Sequence, residues 1–498
     1  IGNDHRGEDI MGAIVGLHAL DLAIVVAYLA GMVAIGYVVA RRLRGFADFF
    51  VAGRALTTPI LICSLVSSYY GLDALFGDSG DAAREGVVVW FAYGRPYTVA
   101  LLLAALLLAH RLQDGQGRYL SMSDVLARHY GRPAQVAGAV ASFLYALPVL
   151  AIMGLAAIGE VLFGLPPWAG ALLGSVLSVA YVAMGGFWAD TLTDTVQFLI
   201  MCVSLAVALP FILAGVGGFA GIRAALGDEA FAPFGSAPPL YTLAYALTAV
   251  SVLVEPLFYQ RIFAAKNAKA VRRAFLWGVL IWAAYDWATT AVGMAGGAMM
   301  ATGALPADTP RDQVLLRVVP MFLPVGVSGF FLGGCLATAM STVDSYFLIA
   351  AGNLVYDIYR PLWAPAMDDR ALLRHTRVAL LLSAAVTILI GLYFERIKEA
   401  WNFMATIITS TLLVPMLAAL CLPGRRTPLA GTLSTCGGLA AVLIFFALME
   451  LFGVRDAELD TRRMVVFGVE VLREYGLFFA LPVSALGYVI GAACGRRP

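Results

Sequence analysis

Four hydroxyl side chains in one apolar stretch are the first residues that could do chemistry. Between Gly333 and Tyr359 the chain reads GGCLATAMSTVDSYFLIAAGNLVYDIY, with Thr338, Ser341, Thr342 and Ser345 at i, i+3, i+4 and i+7. On a helix that spacing lines the oxygens along one face. Asp344 stands beside the stripe, one turn from Ser341. A lone serine or threonine in such a helix commonly bonds the carbonyl one turn back. A carboxylate at bilayer depth is different: it costs about 2.5–3.5 kcal/mol on insertion scales, so it faces a cavity, a partner or an ion. The stripe reads as a site for an ion or a polar solute.

Further charges interrupt other apolar runs. SSYYGLDALFGDSG carries Asp73 and Asp78 among Gly71, Gly77 and Gly80. Each glycine costs about 1 kcal/mol relative to alanine in a helix interior, so this helix is expected to break. Arg95-Pro96, Glu255-Pro256 and Asp286 lie within other runs. Intramembrane charges of this kind mark solute or ion pathways, or else pair with one another for structural reasons.

The elements that position these residues follow from composition. The chain has 498 residues, 61% hydrophobic and 13% charged, against about 25% charged in soluble domains. It reads as an all-α polytopic membrane protein of about thirteen helices, at about 20 residues per crossing. The expected spans are 20–40, 56–77, 87–109, 135–157, 166–184, 191–215, 240–260, 275–300, 325–352, 378–394, 401–422, 429–451 and 475–494. Short connections leave no room for a separate soluble domain. Basic clusters fall in alternate loops: Arg41, Arg42, Arg44 and Arg54; Arg111, Arg118, Arg128 and Arg132; Arg261, Lys266, Lys269, Arg272 and Arg273; Arg360, Arg370, Arg374 and Arg377; Arg425 and Arg426; Arg496 and Arg497. The positive-inside rule then places the N-terminus outside and the C-terminus inside.

Other classes find little support. A net charge of +1 gives no reason to expect nucleic acid. The six cysteines form no close pairs, and the five histidines are scattered, with no H-E-x-x-H pair and no Walker-type loop. An enzyme is not expected, nor an obligate protein partner.

Five segments resemble the sodium:solute symporters, the family of sodium–proline, sodium–galactose and sodium–sialic acid carriers. They are DFFVAGR from Asp48, GDSGDAAREG from Gly77, GGFWADTLTDTVQ from Gly185, QRIFAAKN from Gln260, and Ala339–Tyr359 with AMSTVDS and DIY. The resemblance implies a LeuT-like core of two inverted five-helix repeats. These fall at 56–215 and 240–422, after an extra helix at 19–40 and before two more at 429–494. Ion and solute then sit near the midplane, at broken helices.

It also implies site residues. Carbonyls of Ser67, Tyr70 and Thr338 and hydroxyls of Ser341 and Thr342 would hold the coupling ion, Na+, with no organic cofactor. A second cation site would use Asp194, Asp344 and Ser345. Solute positions transfer to Tyr69, Asp73, Tyr93, Thr248 and Ser251, with Arg95, Glu255 and Asp286 charging the cavity. The aromatic residues that close over proline or galactose are absent, so the expected solute is small and polar, cationic or zwitterionic. The reading is sodium-coupled symport by alternating access, in a lipid bilayer and expected in a bacterial inner membrane. A transporter-like sensor and a proton-coupled symporter of the same fold are the alternatives.

Overall fold

The structure, a computed structural model, describes residues 18–41, 45–113, 119–235, 239–394, 397–422, 426–456, 461–466 and 468–495. Arg42, Arg44, Arg118, Arg425, Arg496 and Arg497 of the basic clusters lie outside them.

In chain order the main helices begin with α1 (Ala19–Ala40) and α2 (Thr58–Tyr69). A wide turn at Asp73–Asp78 follows and leads into α3 (Ser79–Glu85). Another wide turn, Val89–Gly94, precedes α4 (Arg95–Gln113). Next come α5 (Met122–Tyr130), α6 (Arg132–Tyr145), α7 (Val149–Phe163) and α8 (Pro167–Gly215). The second half holds α9 (Pro239–Leu247), α10 (Pro256–Ala264), α11 (Ala268–Ala301) and α12 (Val327–Gly352). It continues with α13 (Asp369–Gly391), α14 (Ile397–Cys421), α15 (Pro428–Phe452) and α16 (Gly476–Cys494).

Among the described residues, ten helices are long and apolar enough to cross a membrane, or eleven if α2 and the helix after its break form one span. The difference from thirteen has two sources. The expected spans 166–184 and 191–215 are two helices joined without a loop within α8, meeting at a kink at Gly186 (φ 55°, ψ −149°) and counted once. The span expected at 275–300 lies inside the longer α11, whose Asp286 and basic start make it less apolar.

Helix α12 is the axis of the bundle. Nearly all of it is buried, and it packs against α8, α1, α13 and α2. Helices α1, α13, α15 and α16 instead expose leucine, valine and isoleucine outward, as lipid-facing helices do.

One element departs from the all-α expectation. Between α15 and α16, strands β1 (Val454–Asp456), β2 (Thr461–Val466) and β3 (Val469–Leu472) form a small antiparallel sheet in the order β1-β2-β3. It is anchored by Thr461 bonding Glu474 at 2.8 Å and by an ion pair between Arg473 and Glu399 of α14.

Candidate sodium and solute sites

Helix α2 stops where its glycine arrives. Tyr70 leaves helical geometry (φ −88°, ψ 75°) ahead of Gly71. The break makes carbonyls near Ser67 available to other helices. Ser341 Oγ donates to the Ser67 carbonyl at 2.8 Å and also approaches the Thr338 carbonyl at 3.1 Å. Thr342 Oγ1 reaches the same Thr338 carbonyl at 3.2 Å. Ser67, Thr338, Ser341 and Thr342 are all buried. Two carbonyls and two hydroxyls therefore meet between the broken end of α2 and the middle of α12. A ring of neutral oxygens is the donor set a desolvated monovalent cation needs. Tyr70 stands at the break itself. Its side chain reaches away, its hydroxyl lying 3.4 Å from Asp286 Oδ1 and 3.5 Å from Thr289 Oγ1.

One turn along α12, Ser345 enters a second buried cluster. Its hydroxyl bonds Asp190 at 2.9 and 3.0 Å and Ser68 at 3.1 Å. Asp194 accepts from Ser64 at 2.6 Å and Ser68 at 3.0 Å. Arg261 of α10, wholly buried, drives its guanidinium into the middle. It bonds Ser64 (3.1 Å), Ser68 (2.6 Å), Asp194 (3.2 Å) and Ser345 (2.7 Å), and lies 3.6 Å from Asp190. Two carboxylates thus face one guanidinium, and Asp194 Oδ1 has no hydrogen-bond partner among the described residues.

Asp344 is not brought to this cluster. Its carboxyl lies beside Ser178 in the first half of α8, short of hydrogen-bond geometry. Ser345 turns instead towards Asp190 and Ser68, so the structure separates these two neighbours onto different partners.

The solute positions fall into two groups. Tyr69, Tyr70, Tyr93, Arg95 and Asp286 line a cavity of about 820 Å³ including its mouth, walled also by Tyr97, Tyr245, Trp282 and Trp401 and by Asp78 and Asp81. Arg95 is tightly held within it. It pairs with Asp286, bonds the Trp90 carbonyl at 2.9 Å and Thr98 at 3.1 Å, and lies 4.2 Å from the centre of the Trp90 ring. Thr248 stands one layer back, bonding the Tyr97 hydroxyl at 2.6 Å, which in turn accepts from Trp401 at 2.7 Å.

Glu255 and Ser251 do not line that cavity. Glu255 is wholly buried and caps α10 through the Leu257 N–H, with Tyr145 and Tyr346 donating to its carboxylate. Ser251 is buried in the turn before it. The Asp73 side chain lies outside the described residues.

The profile of the sodium:solute symporter family matches residues 49–423. The chain belongs to that family. The symporter is 24% identical to a sodium/pantothenate symporter of Escherichia coli, over 89% of this chain and 86% of that one. It is also 24% identical to a sodium/proline symporter of Haemophilus influenzae, over 73% of this chain and 76% of that one. With the high-affinity choline transporter 1 of Caenorhabditis elegans it shares 23% identity, over 76% of this chain and 68% of that one. A solved Na+-coupled sialic acid symporter superposes with a TM-score of 0.77 at 14% identity, covering 96% of this chain and 98% of that one. The fold is thus the LeuT-like one. The symporter is an integral membrane protein, not an enzyme, and couples transport of a small organic solute to Na+.

Several residues of the candidate sites escaped sequence reasoning, yet some left a signal. Asp190 precedes Asp194 by one helical turn within GGFWADTLTDTVQ, so both carboxylates share a face. Arg261, expected from the sequence among the inner-face charges, is instead wholly buried against Asp190 and Asp194, as a charge inside an apolar run demands a partner. Tyr97, Tyr245, Trp282 and Trp401 carried no signal, because aromatic residues in a membrane helix are ordinarily packing.

Proposed function

We propose that the symporter carries a small solute bearing an ammonium or other cationic group. The observation behind this reading is the cavity wall: tyrosine and tryptophan rings with Asp78, Asp81 and Asp286 among them, Asp81 paired with Arg311 and Asp286 with Arg95, so that the aromatic faces carry the argument. Aromatic faces attract cations, most strongly where water is excluded. A solute carboxylate would have to displace Asp286 from Arg95, so a zwitterion is the second reading, favoured only by that exchange. Among the relatives, the choline transporter is named for a quaternary ammonium.

Sodium is held by Ser67, Tyr70, Thr338, Ser341 and Thr342. A second cation fits beside Asp194 and Ser345 with Asp190 as the added ligand, since Arg261 balances only one of the two carboxylates. Asp344 is left out of that set. Two inverted repeats, at 56–215 and 240–422, rock by alternating access around these ions. The protein works in the inner membrane with its N-terminus outside, and needs neither nucleic acid nor an obligate protein partner.

Uptake by purified protein in liposomes under an inward sodium gradient tests the reading, across amines, amino acids, sugars and carboxylates. Sodium-dependent uptake is expected for ammonium compounds. Uptake confined to sugars or carboxylates would overturn the solute assignment, and no uptake at all would favour the sensor. Asp194→Asn is expected to lower the number of sodium ions moved per solute from two to one.

A further inference from the structure

Away from both sites, the last turns of α4 and the first turns of α11 pack together and leave a groove of about 980 Å³ between them. Its floor is Ala105 and Ala109, its wall includes Leu106, and its mouth carries Arg111, Lys269 and Arg272. We propose that this groove binds one anionic phospholipid, with the phosphate among Arg111, Lys269 and Arg272 and an acyl chain along Leu106.

Three observations carry the inference. The first is charge. Lys269 and Arg272 are exposed in the opening turns of α11, whose first turn holds no acidic residue. The positive end of a helix dipole disfavours cations there, so an outside anion relieves the clash. Among the described residues no carboxylate forms an ion pair with Lys269, Arg272 or Arg111, and the Arg111 guanidinium bonds only the Cys421 sulfur, at 2.7 Å.

The second is the apolar surround. On α4, Val99, Leu103 and Leu106 are exposed, and on α11 so are Trp277 and Leu280. These residues lie on the same two helices toward the bilayer interior from the groove, as exposed surface fit for acyl chains and not for water. A free phosphate would use the basic mouth and none of this wall.

The third is level. The three basic side chains stand at the end of both helices where the sequence places the inner membrane face. Basic pockets between helices on that face bind anionic headgroups.

Native mass spectrometry of the full-length detergent-purified protein tests the proposal, with phosphatidylglycerol and phosphatidylcholine added separately. The protein is expected to retain one phosphatidylglycerol under activation that strips phosphatidylcholine. Arg272→Gln should weaken that retention, and Arg111→Gln/Lys269→Gln/Arg272→Gln should reduce it at least tenfold with an unchanged size-exclusion profile. Arg272→Gln alone changes one exposed side chain, so it decides the matter if the triple variant fails to fold. Equal retention of the two lipids, or unchanged retention by Arg272→Gln, overturns the proposal. Displacement of the lipid by excess inorganic phosphate also overturns it, assigning the mouth to a free anion instead. No transported solute enters this measurement, so its failure is separate from any failure of the solute assignment.

Discussion

Ser341 and Thr342 contribute hydroxyls whose hydrogens point at carbonyls of the same small ring, Ser67 and Thr338. Sodium binding asks those oxygens to turn their lone pairs inward, which a hydroxyl does by rotating one bond. Ser341→Ala/Thr342→Ala leaves carbonyls alone. The sodium concentration for half-maximal uptake is expected to rise at least about tenfold, equivalent to about 1.4 kcal/mol, while membrane expression persists. An unchanged sodium requirement would remove these residues from the site. His129, on α5 outside the membrane spans, gives a pH prediction. Burial, with Arg426 and Arg128 adding to it, pushes its imidazole from 6.5 down to about 4. The unfolded chain then binds a proton below about 6.5 that the folded protein refuses until about 4, so stability is full above this window and falls as pH drops through it. Melting temperatures over that range should decline, and His129→Gln should flatten part of the decline.

At the scale of elements, the turn in α8 depends on one residue. Gly186 has a positive φ, and a Cβ there would sit 2.5 Å from both the carbonyl oxygen and a ring carbon of Phe49. Gly186→Ala combines backbone strain of about 1–3 kcal/mol with a steric clash. It should lower the melting temperature and the yield of folded protein, and native-like values would show that the helix-to-helix turn tolerates a side chain. The turn was legible only as a gap between two apolar runs, because Gly185-Gly186 says nothing of how sharply the chain reverses. The break after α2 was legible outright, since Gly71, Gly77 and Gly80 crowd one short segment. The stripe on α12 was legible as a face, but periodicity does not tell which neighbour a face meets. That is why the stripe did not show that Ser345 meets Asp190 and Arg261 while Asp344 turns elsewhere. Glu255 looked like a cavity charge because a helix cap and a solute ligand are the same residue type in a sequence. The small sheet left no readable pattern, since its short strands, with Arg455, Asp456 and Glu470 among them, pair only with one another.

For the whole molecule, coupling is a question of charge moved across the bilayer. Each elementary charge gains about 2.3 kcal/mol per 100 mV. A cationic solute entering with sodium makes transport more electrogenic than a neutral solute entering with the same ions. Imposing an inside-negative potassium diffusion potential on proteoliposomes should raise initial uptake, and replacing the external sodium salt with iso-osmotic sucrose should abolish it. Uptake indifferent to potential would argue that the solute carries compensating negative charge.

The Arg261 cluster has a bearing on how the protein is made. Its members arrive from the ribosome in the order α2, α8, α10, α12, and Ser68 and Ser345 are 277 residues apart. Arg261 therefore reaches the bilayer after Asp190 and Asp194 are there to receive it, and before Ser345 exists. The helix that completes the cluster also carries Thr338, Ser341 and Thr342. A chain still emerging from the translocon accordingly has one of its two carboxylates balanced early but lacks three of the five oxygens of the candidate sodium site. The last tie of the buried charge cluster and most of the candidate sodium oxygens thus arrive together, on the same late helix.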